Sequence, residues 1–178
     1  EVKPSVVLTH PPVDYMEDHT NACRLAVTAA FSRGMPNFVT DPPRDAVFNP
    51  VTVYHAQPYS HRDPLGNVIE PALVVDTTDL IDLKKKMLAK HVSQKEWLDE
   101  SQGLDSYLQA MRELDAEVGR MSGLFTYAEG WRRHLHLGLA VLATEHAADR
   151  AEGRGDHAGD GVAQRGADGV AVVEVRRR

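Results

Sequence analysis

The chain has 178 residues, 42% of them apolar, and its 20 basic and 26 acidic side chains give a net charge of −6. This size and composition fit one folded domain, or one domain with a tail, and the negative charge argues against a nucleic-acid partner. A single cysteine excludes an internal disulfide framework, and without a secretory signal or an apolar run of roughly 20 residues the sequence predicts a cytoplasmic protein with no membrane span.

The first half of the chain alternates between strand and helix patterns, which is typical of α/β proteins. Ser5–Thr9 is a continuous β-branched and apolar run, and this pattern predicts a strand buried on both faces of a parallel sheet. The alanine-rich segment from about Asp18 to Arg33 predicts a helix that stops at Gly34. Two more short strands are predicted at Val51–His55 and Ala72–Val75.

The second half is richer in helix signals. Asp76–Asp79 supplies capping residues for a helix whose apolar residues and His91 fall near one face, and whose lysine run, Lys84–Lys86, is typical of a solvated surface. Leu104 to Val118 places apolar side chains at three- and four-residue steps, which predicts an amphipathic helix. Phe125–Leu142 has a mixed pattern that fits a strand or a helix ending near Ala143.

These elements predict an α/β, Rossmann-like domain over residues 1–143, with a mostly parallel sheet and flanking helices. Residues 144–178 lack leucine, isoleucine and aromatic side chains, so we expect a low-complexity, disordered tail in which only Val170–Val175 favours a strand.

The segment from His10 to His19, HPPVDYMEDH, lies between the first strand and the first helix, at the end of a strand where ligands gather in open α/β sheets. Within it, Asp18 and His19 place a carboxylate beside an imidazole, the commonest ligand of transition metals in proteins. The same two residues also suit a helix start, with Asp18 as N-cap and His19 as a solvated first-turn residue. Taken alone, the pair leaves both interpretations open.

Three segments between Val7 and about His136 carry a more specific signal, in the order VLTHPPVDYMEDHTNACRLAVTAAF, DLIDLKKKMLAKHVSQKEWL and YAEGWRRHL. They resemble, respectively, the second metal motif, the helix with its H-x-S-Q signature and the closing block of the PIG-L, or LmbE-like, family of metal-dependent N-deacetylases. The resemblance covers the C-terminal part of the family domain.

The resemblance implies that His19 ligates zinc or another divalent metal, with Asp18 as the neighbouring acid. It also implies hydrolysis of an acetamide on a small-molecule N-acetylglucosamine-type conjugate by a metal-activated water. The family usually has a histidine three residues before this ligand, but the position is Met16 here, and a thioether cannot donate a proton. The hydroxyl of Tyr15 is a candidate replacement, against the alternative of a tyrosine packed in the loop.

The later blocks add further candidates. The resemblance implies that Tyr127 donates a hydroxyl to the oxyanion, and that the sugar pocket is lined by His91, Glu129, Arg132 and His134. The structural alternatives are a helix-end histidine, a packing tyrosine and a solvated charged turn. His134 and His136 would face the same way on a strand, which also raises the alternative of a metal pair.

The family's first motif, a His-Pro-Asp-Asp type loop that supplies two more ligands and the aspartate base, does not occur in this sequence. Because a catalytic zinc needs about three protein ligands, we expect an N-terminally incomplete domain that binds zinc weakly. The competing hypothesis is a non-catalytic carbohydrate-binding or partner subunit with a degenerate metal site, which Met16 favours. The sequence also leaves open whether the chain forms a homo-oligomer. A nucleotide-binding domain is the least favoured of the three functional hypotheses, because the sequence has no glycine-rich phosphate loop.

Overall fold

The computed structural model describes residues 2–103, 105–135, 163–165 and 171–173. Its elements, in chain order, are β1 (Val6–Thr9), α1 (Glu17–Ser32), β2 (Thr52–Ala56), β3 (Leu73–Asp76), α2 (Ile81–Leu88), α3 (Val92–Gln102), α4 (Ser106–Ser122), β4 (Ala128–Arg133), β5 (Ala163–Arg165) and β6 (Ala171–Val173). The chain divides into two compact units, Glu1–Ala72 with Trp131–Gly159 and Leu73–Gly130 with Asp160–Arg178. Strands and helices occur in both, so the predicted α/β class is confirmed.

The first unit contains β1, α1, β2 and the end of β4. β1 pairs in parallel with β2, and β2 pairs antiparallel with β4. Ala30 of α1 packs with Val51 and Val53 in a buried cluster, against which Val7 and Val27 also rest. This cluster holds α1 against the sheet.

β1 itself differs from the prediction of a strand buried on both faces. Val7 contributes to the core, whereas Val6 and Leu8 are exposed, Leu8 at 60%. Successive side chains of a strand point to opposite faces, and in the described part of the chain the core covers only the face that carries Val7. A four-residue apolar run does not by itself tell one covered face from two.

The second unit contains β3, the three helices α2, α3 and α4, and the start of β4. The backbone N–H of Thr77, just after β3, donates to the carbonyl of Tyr127, just before β4, at 3.0 Å. Val74, Val118 and Ala128 form the buried core, with Phe125 packed against it. β6 pairs in parallel with β3 and antiparallel with β5.

The sheet pairings are therefore mixed, and the prediction of a mostly parallel sheet is wrong for the strands described. The two antiparallel pairings are those of β4 with β2 and of β5 with β6. β6 falls inside Val170–Val175, the segment of the tail that favours a strand. The predicted boundary near Ala143, the end of the Phe125–Leu142 pattern and His136 lie outside the described residues.

The helix predictions hold with two exceptions. The helix expected to carry His91 ends at Leu88, and α3 begins afresh at Val92, a break that the sequence pattern does not indicate. The expected apolar face of α2 is also wrong, because Leu83 and Met87 are exposed while Ile81 is buried. No helix in the described ranges combines the length and apolar composition needed to cross a membrane.

One glycine in α4 allows a close approach between the helix and the chain that follows it. A Cβ placed on Gly119 would lie 2.6 Å from the carbonyl oxygen of Phe125 and 2.7 Å from that of Thr126. Both atoms belong to the backbone, so they cannot rotate away. The helix therefore requires glycine at this position.

We expect Gly119→Ala to lower the free energy of unfolding by about 2 kcal/mol, the cost typical of overpacking. This is opposite to the usual gain of about 1 kcal/mol when alanine replaces glycine inside a helix. Urea denaturation measures the difference. Gly34→Ala is the matched control, because its new Cβ would meet the Phe48 ring at 3.3 Å, a side chain that can move. Equal stability of the wild-type and Gly119→Ala proteins would contradict the steric argument.

Candidate functional site

The candidate site lies in the first unit, where the loop from His10 to Met16 leads from the carboxyl end of β1 into α1. His19 is in the first turn of α1, and its side chain is 33% exposed. Its Nδ1 lies 3.3 Å from Oδ1 of Asp14, whose side chain is only 3% exposed. The same Asp14 oxygen accepts a hydrogen bond from the backbone N–H of Met16 at 3.0 Å, which fixes the carboxylate within the loop.

This contact determines which nitrogen of His19 is available for a ligand. A carboxylate accepts and does not donate, so this contact favours the form of His19 with a hydrogen on Nδ1. The lone pair is then on Nε2. Histidines that ligate metals typically donate their other ring N–H to a carboxylate or carbonyl in this way.

Aromatic rings surround His19. The His10 ring stacks on it, with centroids 4.3 Å apart and planes 13° from parallel. The Tyr15 ring meets His19 edge-on at 6.3 Å and contacts Tyr59 at 5.7 Å. Both tyrosines are exposed. His19 is thus held on three sides, by Asp14, His10 and Tyr15.

A second pair of imidazoles, the buried His55 and the half-buried His134, lies behind the loop. Nδ1 of His55, in β2, is 2.8 Å from the carbonyl oxygen of His10, and its Nε2 is 2.8 Å from Nδ1 of His134. The sulfur of Cys23 lies 3.5 Å from Nδ1 of His55. Burial raises the pKa of the Cys23 thiol, so this sulfur stays protonated at neutral pH. Sequence reasoning did not identify His10, Asp14 or His55.

The structure places the other predicted residues of the first unit as follows. Asp18 is exposed in the first turn of α1, and the carboxylate that contacts His19 is Asp14. Arg132 lies opposite His55 in the β2–β4 pairing, and its Nε is buried with no hydrogen-bond partner among the described residues. Burial lowers the pKa of the Arg132 guanidinium. His134 is brought to the site through His55.

Three predicted residues belong to the second unit. Glu129 forms an ion pair with Lys84 at 2.6 Å, and the Tyr127 ring lies under the Arg112 guanidinium at 4.8 Å. His91 is exposed between α2 and α3, where its carbonyl accepts the backbone N–H of Lys95. The substrate-site roles of these three residues stay predictions.

The donor atoms fit a metal only in part. His19 offers an oriented imidazole nitrogen, but no three histidine, cysteine or acidic side chains in the described part of the chain gather closely enough to hold an ion. A complete metal site would therefore need ligands from outside the described residues.

No family model matches this sequence. No curated protein matches it either. The fold is similar to the crystal structure of GalB, the 4-carboxy-2-hydroxymuconate hydratase from Pseudomonas putida KT2440, with a TM-score of 0.51 and 23% sequence identity. The match covers 79% of this chain and 56% of that one, so this chain spans little more than half the length of the hydratase.

Proposed function

We propose that this chain carries the metal-binding histidine of a divalent-metal-dependent hydrolase, with zinc as the first candidate, that removes the acetyl group from an N-acetylated sugar conjugate. The observation that carries the proposal is the contact between Nδ1 of His19 and the buried carboxylate of Asp14. The three sequence blocks that resemble the PIG-L family supply the substrate class. An N-terminally incomplete, Rossmann-like domain is part of the same proposal.

The chain's own residues have distinct roles in this proposal. His19 would hold the metal through Nε2, and Asp14 keeps the ring oriented by accepting the proton on Nδ1. A divalent metal at this position supplies a Lewis acid that polarises an amide carbonyl and acidifies a water molecule. Tyr15 is exposed and its ring meets His19 edge-on, and in this proposal its hydroxyl donates to the developing oxyanion in place of the family histidine that Met16 replaces.

The direct test follows metal binding and reaction in the full chain. Zn²⁺ is titrated into ¹⁵N-labelled protein, and methyl N-acetylglucosaminide is then added. Because the incomplete ligand set predicts weak binding, Zn²⁺ is added in excess; we then expect the Nε2 signal of His19 to shift, and acetate and free amine to form in equal amounts. Absence of acetate once the His19 signal is saturated would overturn the deacetylase assignment.

Two other outcomes would redirect the assignment. Sugar binding without acetate release would favour the non-catalytic carbohydrate-binding subunit. Loss of 4-carboxy-2-hydroxymuconate from the solution would favour hydration of that compound, the activity in the name of the structurally similar hydratase.

Tyr15→Phe tests the hydroxyl. We expect kcat to fall about 100-fold with little change in KM, because an oxyanion donor acts in the transition state. Tyr59→Phe removes a hydroxyl from the neighbouring exposed ring and should leave kcat unchanged. Adding Met16→His to Tyr15→Phe should restore activity, since it supplies a donor one residue away. Full activity of Tyr15→Phe would assign this tyrosine to packing alone.

A further inference from the structure

The register of the first sheet brings a buried histidine to the back of the candidate site. In the parallel pairing of β1 and β2, His55 lies beside Thr9, the last residue of β1. The next residue is His10, so the His55 imidazole reaches the His10 carbonyl at 2.8 Å. His55 is only 3% exposed, and water cannot readily replace this contact.

The partners of His55 determine where its protons lie. The His10 carbonyl only accepts, so Nδ1 of His55 carries a hydrogen. In the neutral ring Nε2 is then an acceptor, and Nδ1 of His134, 2.8 Å away, must donate to it. A protonated Nδ1 also means that the Cys23 sulfur, 3.5 Å away, receives part of the same hydrogen rather than donating its own. Both imidazoles are therefore assigned the Nδ1–H form.

This chain of contacts ends at the proposed metal ligand. His55 fixes the His10 carbonyl, and the His10 ring stacks on His19 at 4.3 Å. Stacking on one face, together with Asp14 at Nδ1, leaves the His19 ring little freedom to rotate. Two elements distant in sequence, β2 and the segment after β4, thus support the loop that presents His19.

We propose that His55 is a positioning residue, which sets the His10 backbone so that the His10 ring holds His19 in its ligating orientation. This inference rests on the proposed role of His19 as a metal ligand. It assigns His134 to the support of His55, whereas the sequence resemblance places it in the sugar pocket. Outer partners of a metal ligand typically change metal affinity by about 10- to 100-fold when they are replaced.

The test uses the ¹⁵N-labelled full chain and three variants of His55. In the wild-type protein, long-range ¹⁵N–¹H spectra should show His55 and His134 protonated on Nδ1, and ring-to-ring nuclear Overhauser effects should connect His10 with His19. His55→Asn places an amide donor near the original Nδ1 and should keep the His10–His19 contact and the Zn²⁺ affinity. His55→Gln and His55→Phe should lose the contact and bind Zn²⁺ about tenfold more weakly or worse.

Cys23→Ala is the matched control, because it removes a contact of the same nitrogen without removing the donor to His10. It should leave the His10–His19 contact in place. A His55 ring protonated on Nε2 in the wild-type chain would overturn the proposal even if every variant failed to fold. So would an unchanged His10–His19 contact in His55→Phe, or equal effects of asparagine and glutamine.

The outcomes separate this inference from the proposed function. If the tautomers and ring contacts behave as expected but Zn²⁺ does not shift His19, the metal role is wrong and His55 only orders the loop. If Zn²⁺ binds His19 equally well in the wild-type and His55→Phe proteins, the metal role stands and the positioning role is wrong.

Discussion

His19→Ala is expected to lose more divalent-metal affinity than the roughly 10- to 100-fold that removal of an outer partner costs, because it deletes the ligating nitrogen itself. Calorimetric titration with Zn²⁺ or Co²⁺ measures the loss. The fold should survive, since His19 is one-third exposed at the start of α1 and contributes nothing to the buried cluster of Ala30, Val51 and Val53.

The more informative variants are those of the two nearby carboxylates. Asp14→Asn keeps the size of the side chain but removes the charge that holds the proton on Nδ1 of His19, so metal affinity should fall about 10- to 100-fold. Asp18→Asn should change it little, because Asp18 is exposed and the contact belongs to Asp14. Glu17→Gln, another exposed acid of the same turn, controls for the general loss of negative charge. A larger effect at Asp18 than at Asp14 would restore the assignment made from the sequence.

The two carboxylates show what local sequence can and cannot predict. Asp18 stands next to His19 in the chain, but adjacent residues on a helix point in different directions, so adjacency does not bring their side chains together. Asp14 lies before the helix. Its carboxylate accepts a hydrogen bond from the backbone N–H of Met16, and this turn brings the carboxylate close to His19. An aspartate whose side chain accepts from the backbone N–H two residues later is a known turn-forming signal, and it was the available clue.

Long-range pairing explains the rest of the differences. The periodicity of the sequence was enough for α1, α4 and the first three strands, because each depends on local pattern. The antiparallel entry of β4 and the contact of His55 with His10 join residues 45 or more positions apart, and no local pattern encodes them. For this reason the sequence pattern predicts only that His55 lies in a strand, and not that it contacts His10.

The environment of Lys84 also depends on long-range contacts that the local sequence does not indicate. In sequence it belongs to a basic run on a solvated helix face, and its neighbours Lys85 and Lys86 are indeed exposed. In the structure its ammonium lies between two carboxylates, 2.8 Å from Asp115 and 2.6 Å from Glu129. The Asp115 side chain is 9% exposed, so Lys84 neutralises a charge that water reaches poorly. Thr77 donates a further hydrogen bond to Asp115 at 3.4 Å.

The pKa shifts of this pair follow from its environment. Desolvation alone would lower the pKa of Lys84, but the hydrogen bonds from Lys84 to Asp115 and Glu129 outweigh it and raise the pKa above its ordinary 10.5. Burial raises the pKa of Asp115, against the opposing effect of Lys84. With respect to the titration of Lys84 itself, its stabilising contribution is fully present below about pH 10.5 and is lost as the pH rises through its raised folded value.

Lys84→Met is accordingly expected to lower the free energy of unfolding by about 3 kcal/mol at neutral pH, since removing one partner of a buried pair leaves the other charge uncompensated. Urea denaturation at several pH values tests this. The difference in stability between the variant and the wild type should shrink in acid. Burial raises the pKa of Asp115, and its protonation removes the uncompensated charge from the folded variant. The difference should also shrink at high pH, where wild-type Lys84 loses its own proton. Lys85→Met removes an exposed lysine of the same helix and should cost no more than about 0.5 kcal/mol. Adding Asp115→Asn to Lys84→Met should recover part of the loss, because the stranded charge is gone. Equal stabilities of the Lys84 and Lys85 variants would show that the ammonium between α2, α4 and β4 contributes no more than a surface ion pair.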